Sequence, residues 1–422
     1  MSAIDVVYEG DDGPWHVARV AQRGTETLVE YTGDHLTRDA DLAPVHQPLS
    51  DRSRRFPGRR VDHLPGLIAD SLPDSWGRSV LRRDMRAHGI EEPTPLQLLA
   101  WLGRRTMGAL TYRPATGPET PKVALVDLDR VQAEVLRHLA GAEPQDAEAD
   151  QLTKVAGSGA GGARPKIAAA YTTDGQLVVD TGTVPAGATP WLVKLHSTDD
   201  TEYLSAIEAT YLQMAAAAGI TTCNHRLLPG SSGTRYLAVE RFDRQPVPGS
   251  QPRRIHMATA AGLLEAYPEH GHLVGYDHII RLVRLVTGDT RDVTELVRRA
   301  VFNVIAHNRD DHARNFAFLW TRRDGWHLAP AYDLTHSMGP RPEHLADQPG
   351  EHYLDIGGKG KDISRHDLHR LARPADVHTA DIDTMIDITL EAVASWPSLA
   401  AANGVSDELV GQVATRLPAL AR

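Results

Sequence analysis

The feature that most limits what this chain of 422 residues can fold into is a polar run set between an apolar helix and a hairpin. From Glu295 to Ala306, Val297, Val301, Val304 and Ile305 fall at helical spacing, which predicts an amphipathic helix. It ends where His307-Asn308-Arg309-Asp310-Asp311-His312-Ala313-Arg314-Asn315 begins. A strand is predicted to leave from Phe316, turn at Asp324-Gly325 and return to Asp333, bringing Asn315 and Asp333 to the same end. Three polar groups, Asp310, Asn315 and Asp333, therefore converge.

Phosphoryl transfer needs such a set. One carboxylate orients the attacking hydroxyl and takes its proton, while a carboxamide and a second carboxylate supply oxygen ligands for Mg²⁺. Asp310 and Asn315 stand five apart, like the Asp and Asn of the loop H-R-D-x-x-x-x-N, and Asp333 takes the place of the Asp in D-F-G, with Leu334-Thr335 replacing Phe-Gly. The plainer alternative is a solvated, Asp-rich helix end with His312 filling a core.

Upstream, β-like runs precede the helices. Lys166 to Tyr171 and Leu177 to Asp180 flank the turn signal Asp174-Gly175, Trp191 to Leu195 reads as a further strand, and Tyr236 to Phe242 as another. Residues 202–218 are predicted helical, and helical periodicity dominates from about 255 onward. The run Gly157 to Lys166 either wraps phosphates with glycine N–H groups or is a flexible linker, and it is not a Walker A sequence. Lys194 lies inside an apolar strand, where a lysine needs a reason such as a phosphate or an edge position. Glu208, on the next helix, is placed to hold Lys194 or to be solvated. Glu240-Arg241-Phe242-Asp243 ends a strand, so Glu240 and Phe242 are expected on one face toward a nucleotide, with a salt-bridge cluster as the alternative.

Composition removes several function classes. Lys and Arg number 45 against 55 Asp and Glu, a net charge of −10, which argues against gripping nucleic acid or anionic membrane through bulk charge. The single cysteine, Cys223, forms no intramolecular disulfide, and no zinc spacing is present. The N-terminus has no signal-peptide pattern, and no segment reaches the roughly 18 apolar residues of a membrane span, so a cytoplasmic, non-membrane protein is expected. At this length two or three domains are expected, on a prior of roughly 100–200 residues each.

Taken together these residues resemble the HipA family of bacterial serine/threonine kinases, the toxin half of a type II toxin–antitoxin pair. Leu67 to Arg78 and Met107-Gly108-Ala109-Leu110 look like its N-terminal signatures. Gly161 to Lys166, Val193-Lys194, Glu240 to Asp243, Asp310 to Asn315 and Ala331-Tyr332-Asp333 match its kinase core in order. The resemblance implies an α+β, two-lobed protein-kinase-like fold, with a β-rich small lobe, an all-helical large lobe and an extra N-terminal α+β subdomain. The corresponding divisions are 1–115, 116–243 and 244–422. It implies ATP and Mg²⁺ as cofactors, Asp310 as catalytic residue supported by His312, and Asn315 and Asp333 as metal ligands. Nucleotide would be bound by Ser158, Gly161, Gly162, Lys194, Glu240 and Phe242. Ser158, the one hydroxyl of the glycine loop, is the expected site of inhibitory autophosphorylation. The partners implied are a protein substrate, in the family a translation protein such as an aminoacyl-tRNA synthetase, and a HipB-like helix-turn-helix antitoxin through which alone the chain meets DNA. A small-molecule kinase and a non-catalytic nucleotide-binding subunit of a repressor complex are the competing readings.

Overall fold

A computed structural model describes residues 2–24, 26–38, 40–56, 64–118, 124–157, 159, 161–267, 274–337 and 351–421; Ser158 lies outside the described residues. Contacts divide the chain into two units, the first holding residues 1–202, 225–258 and 319–324, the second 203–224, 259–318 and 325–422.

The first unit opens with an antiparallel sheet of β1 (Ser2–Gly10), β2 (Gly13–Arg23), β3 (Glu26–Tyr31), β4 (Arg54–Phe56) and β5 (Leu110–Arg113), in the order β4-β3-β2-β1-β5. Along β2, buried Trp15 and Val17 alternate with exposed His16, and the phase then changes because Ala18 is also buried. The partner strand shifts register at the same place, between Val6 and Val7, so the extra residue is absorbed as a bulge. The helix Pro95–Leu102 starts with a capping box: Thr94 Oγ1 accepts from Gln97 N at 3.3 Å, and Thr94 N donates to Gln97 Oε1 at 2.9 Å.

A second antiparallel sheet in this unit contains β6 (Lys166–Tyr171), β7 (Leu177–Val179), β8 (Thr189–Lys194), β9 (His225–Pro229) and β10 (Arg235–Glu240), in the order β7-β6-β8-β10-β9. Period-two alternation gives its faces different work. Ile167, Ala169, Trp191, Val193, Tyr236 and Ala238 form one buried cluster with Val131 and Val135 of the helix Leu128–Leu139 and Leu152 and Val155 of the helix Ala147–Gly157. This second helix shortens the run expected from Gly157 to Lys166, since Gly157 closes a helix. The strand through Tyr236 also ends earlier than expected, at Glu240, and Phe242 stands in the turn after it.

The second unit is mainly helical, built on Leu204–Ala217, Tyr276–Thr287, Thr290–Ile305 and Thr379–Ala394. Asp289 caps the third of these by accepting from Arg291 N at 2.8 Å, and its buried face carries Val293, Leu296, Val297, Ala300, Val301 and Val304. A hairpin of Ala317–Thr321 and Gly325–Leu328 follows it. Among the described residues no helix is long and apolar enough to cross a membrane.

Candidate functional site

In the helical unit, everything depends on how the helix Thr290–Ile305 ends. His307 takes a positive φ of 56°, its N–H donates back to Val304 O at 3.3 Å, and Asn308 N donates to Asn303 O at 2.9 Å, so the helix stops and the polar run turns away from its axis. Asn308 Nδ2 then donates to Asn303 Oδ1 (2.9 Å), Asn303 Nδ2 to Tyr276 Oη (3.0 Å), and Tyr276 Oη to Asp311 Oδ2 (2.6 Å). Asp311 also bonds His352 Nδ1 at 2.8 Å and accepts from the amides of Tyr353 (2.8 Å) and Leu354 (3.4 Å). Burial, and then the Asp311 charge, push the Tyr276 phenol well above its ordinary pKa. The second aspartate of the doublet is thus a buried anchor that fixes the loop from within.

Asp310 faces the other way. Its side chain is 54% exposed, with His312 Nε2 3.8 Å from its Oδ1. Its main chain is held twice: Asn315 Nδ2 donates to Asp310 O at 2.7 Å, and Asp310 N, like Arg309 N, donates to Ser337 Oγ at 3.0 Å. Ala313–Asn315 is a 3₁₀ turn, so the five-residue spacing closes on itself. Asp333 sits on a stretch tied at both ends. Ala331 N donates to Thr221 O at 2.8 Å, and Ser337 N to His307 O at 3.2 Å, which returns the stretch to the Asp310 turn. Asp333 itself has a φ of 58°, a left-handed conformation that a non-glycine residue keeps only where its surroundings hold it. His307 and His336 stack with ring centroids 4.7 Å apart. Burial lowers both from 6.5, to about 4 and about 3 respectively, assisted for His307 by Arg309 and for His336 by His307.

The sheet unit carries the other expected binding residues. In the register of β6 and β8, Lys166 lies directly opposite Lys194, on the face away from the helix-packed cluster. Like charges directly opposite are unfavourable unless an anion joins them. Lys166 Nζ donates to Gly161 O at 2.7 Å, and Gly162 N donates to an Asp74 carboxylate oxygen. Gly162 has a φ of 99°, and a Cβ there would run into Lys166 Nζ, so the turn needs glycine for its backbone and keeps it close to the ammonium. Glu240 pairs with Trp191, on the opposite face from the two lysines. With the strand ending there, the sequence argument that Glu240 and Phe242 share a strand face does not apply. Glu208 is buried on Leu204–Ala217 in the helical unit.

Mg²⁺ takes hard oxygen ligands, and Asn315 and Asp333 carry such oxygens, with Asn315 Oδ1 left as that side chain's acceptor once Nδ2 donates to Asp310. Among the described residues no cluster of three or more His, Cys, Asp or Glu is placed to hold a metal. Two cross-strand lysines beside a glycine turn suit phosphate oxygens. Sequence reasoning missed Asp311, Ser337 and Asp74 as positioning residues. Only the Asp-Asp doublet hinted at the first; Ser337 and Asp74 act over 27 and 88 residues of chain.

These features define an α+β protein whose N-terminal β-sheet subdomain precedes a second sheet and a helical unit. The model of the HipA-like C-terminal domain matches residues 158–397, more than half of the chain, and that of the HipA N-terminal domain matches residues 5–113. The chain belongs to the HipA family. "Putative kinase Y4dM" of Sinorhizobium fredii is 26% identical over 288 residues, 64% of this chain and 62% of that protein. "Putative kinase Y4mE" of the same organism is 32% identical over 133 residues, 30% of this chain and 31% of its own length. The matches thus span less than two thirds of these relatives. A chain of the Shewanella oneidensis MR-1 toxin–antitoxin complex of HipA, HipB and operator DNA superposes with a TM-score of 0.69 over 99% of this chain and 96% of that one, at 17% identity, a likeness of fold.

Proposed function

We propose that the protein is an ATP- and Mg²⁺-dependent serine/threonine protein kinase of HipA type and acts as a toxin. In this reading Asp310 orients the substrate hydroxyl and accepts its proton, and His312 supports the loop. Asn315 and Asp333 hold the metal, which when bound offsets phosphate charge. Lys194, with Gly161 and Gly162, takes the phosphates, and Glu240 and Phe242 lie on the adenine side. The divisions at residues 115 and 243 belong to the same reading. So do a protein substrate of the translation machinery, autophosphorylation of Ser158, and a HipB-like antitoxin that carries the chain to operator DNA. The relatives' names support kinase chemistry, and the solved complex of HipA, HipB and operator DNA supports the partner.

The observation that carries the reading is the turn in which Asn315 donates to Asp310 O at 2.7 Å while the Asp310 carboxylate stays exposed. Its main chain is fixed and its side chain can reach a substrate. The test is transfer of labelled phosphate from ATP by wild type and Asp310→Asn, to the protein itself and to a bacterial lysate. Transfer should fall by orders of magnitude with the fold unchanged. A variant as fast as wild type would remove Asp310 from the chemistry.

A further inference from the structure

In the first unit a cluster of five charged side chains is almost completely buried: Asp180, Arg241, Asp243, Arg244 and Arg254, all below 9% exposure. Arg241 forks onto Asp243 with bonds of 2.9 and 2.8 Å and reaches Asp180 at 3.1 Å. Arg244 Nη1 donates to Asp243 Oδ2 at 2.7 Å. The hydrogen-bond partners of Arg254 are neutral: the carbonyls of Gly108, Arg104 and Thr106 and the Thr106 hydroxyl, at 2.8 to 3.0 Å. Three guanidiniums therefore face two carboxylates, which leaves one positive charge uncompensated in a place where an unbalanced charge is costly. Burial and the charge of Arg241 hold Arg244 down to about 10.

Beside this group lies a cavity of about 10 Å³, room for one water-sized particle. Arg105, Ala156, Gly159, Asp180, Arg241 and Arg244 are among its lining residues. Arg241 uses three of its five N–H groups on the two aspartates, leaving one on each terminal nitrogen. We propose that this cavity is a binding site for a single monatomic anion, chloride under ordinary conditions. The space admits one water-sized particle, and the buried cluster beside it carries a surplus of positive charge. A bound halide would balance the cluster and brace the loop at Arg104 to Gly108 against the end of β10, where Arg244 and Arg254 both bond Gly108 O at 3.0 Å.

The test uses the full chain. Crystals grown without halide and soaked in sodium bromide should show a bromine anomalous peak in the cavity beside Arg241 and Arg244. Thermal unfolding in sodium chloride should lie about 2–4 °C above that in sodium gluconate at equal ionic strength, saturating with chloride. Arg254→Gln removes the surplus charge and keeps a donor for Gly108 O, and it should abolish the halide dependence. Should that variant fail to fold, wild-type bromide diffraction decides by itself. A cavity without bromine, equal melting in the two salts, or an Arg254→Gln protein with full halide dependence would each overturn the proposal.

Discussion

Replacing Asp311 with Asn should weaken the fold, whereas the same change at Asp310 should not, although the residues are neighbours. The Asp311 side chain is completely buried, while that of Asp310 is 54% exposed. Asp311 meets four groups: Tyr276 Oη, His352 Nδ1 and the amides of Tyr353 and Leu354. In the asparagine, Oδ1 still serves the two amides, but Nδ2 presents N–H groups to Tyr276 and His352 where an acceptor stood. One or two buried donors lose their acceptor, so the unfolding free energy should fall by about 1–6 kcal/mol, at about 1–3 kcal/mol for each. Urea unfolding followed by tryptophan fluorescence measures the loss, and faster hydrogen exchange at the Tyr353 and Leu354 amides locates it. Asp310→Asn should stay within about 0.5 kcal/mol of wild type, as exposed substitutions do. Equal urea midpoints for Asp311→Asn and wild type would refute the reasoning, and so would a comparable loss in Asp310→Asn.

Buried His307 and His336 have native pKa values of about 4 and about 3, below the unfolded 6.5, so the unfolded chain takes up protons that the native one refuses. Stability should be full above pH 6.5 and fall toward pH 4, by about 3 kcal/mol for each histidine; His336→Gln should flatten the urea midpoint against pH, and an unchanged slope would contradict the assignment. Gly162→Ala places a side chain at a φ of 99°, and because the Lys166 ammonium can swing aside the penalty is in the backbone, about 1–3 kcal/mol. Calorimetry should then show weaker ATP binding with the circular dichroism unchanged, and wild-type affinity would remove the turn from the phosphate site. Asp333→Ala should cost nucleotide binding most of its Mg²⁺ dependence, while Lys194→Ala should weaken binding with and without metal. Matching Mg²⁺ titrations for Asp333→Ala and wild type would take Asp333 out of the metal site.

Local periodicity made much of the fold legible. The helices at Leu204–Ala217 and Thr290–Ile305, the strands around Ile167, Val193 and Ala238, and the hairpin turn at Asp324-Gly325 follow from spacing and turn chemistry. The five-residue interval from Asp310 to Asn315 is a local quantity too, and it closes as one turn. Pairings across long stretches of chain were out of reach. Nothing near Lys166 says that Lys194 will stand opposite it, because register is decided by which faces of β6 and β8 are buried. The doublet at 310 and 311 looks symmetrical until Tyr276 and His352 claim one member. Ala147–Gly157 was obscured because its last residues run into glycines, whose composition reads as a connection. Glu240 to Asp243 admitted a salt-bridge cluster as one of two readings, and in the structure Arg241 and Asp243 are paired and buried.

The tethers at Ala331 and Ser337 turn the residues between them into a spacer of set length. Five residues, 332–336, cover the distance, with Asp333 held in an unusual backbone conformation near the start. One more residue would add up to about 3.5 Å of path and release that conformation, so Asp333 would no longer have a defined place relative to the Asp310 turn. An extra residue beyond either tether leaves both anchoring bonds as they are. Tolerance of length change should therefore be lopsided along this part of the chain, absent for five residues and ordinary outside them, and a relative with an insertion within those five could not hold its aspartate in the same position.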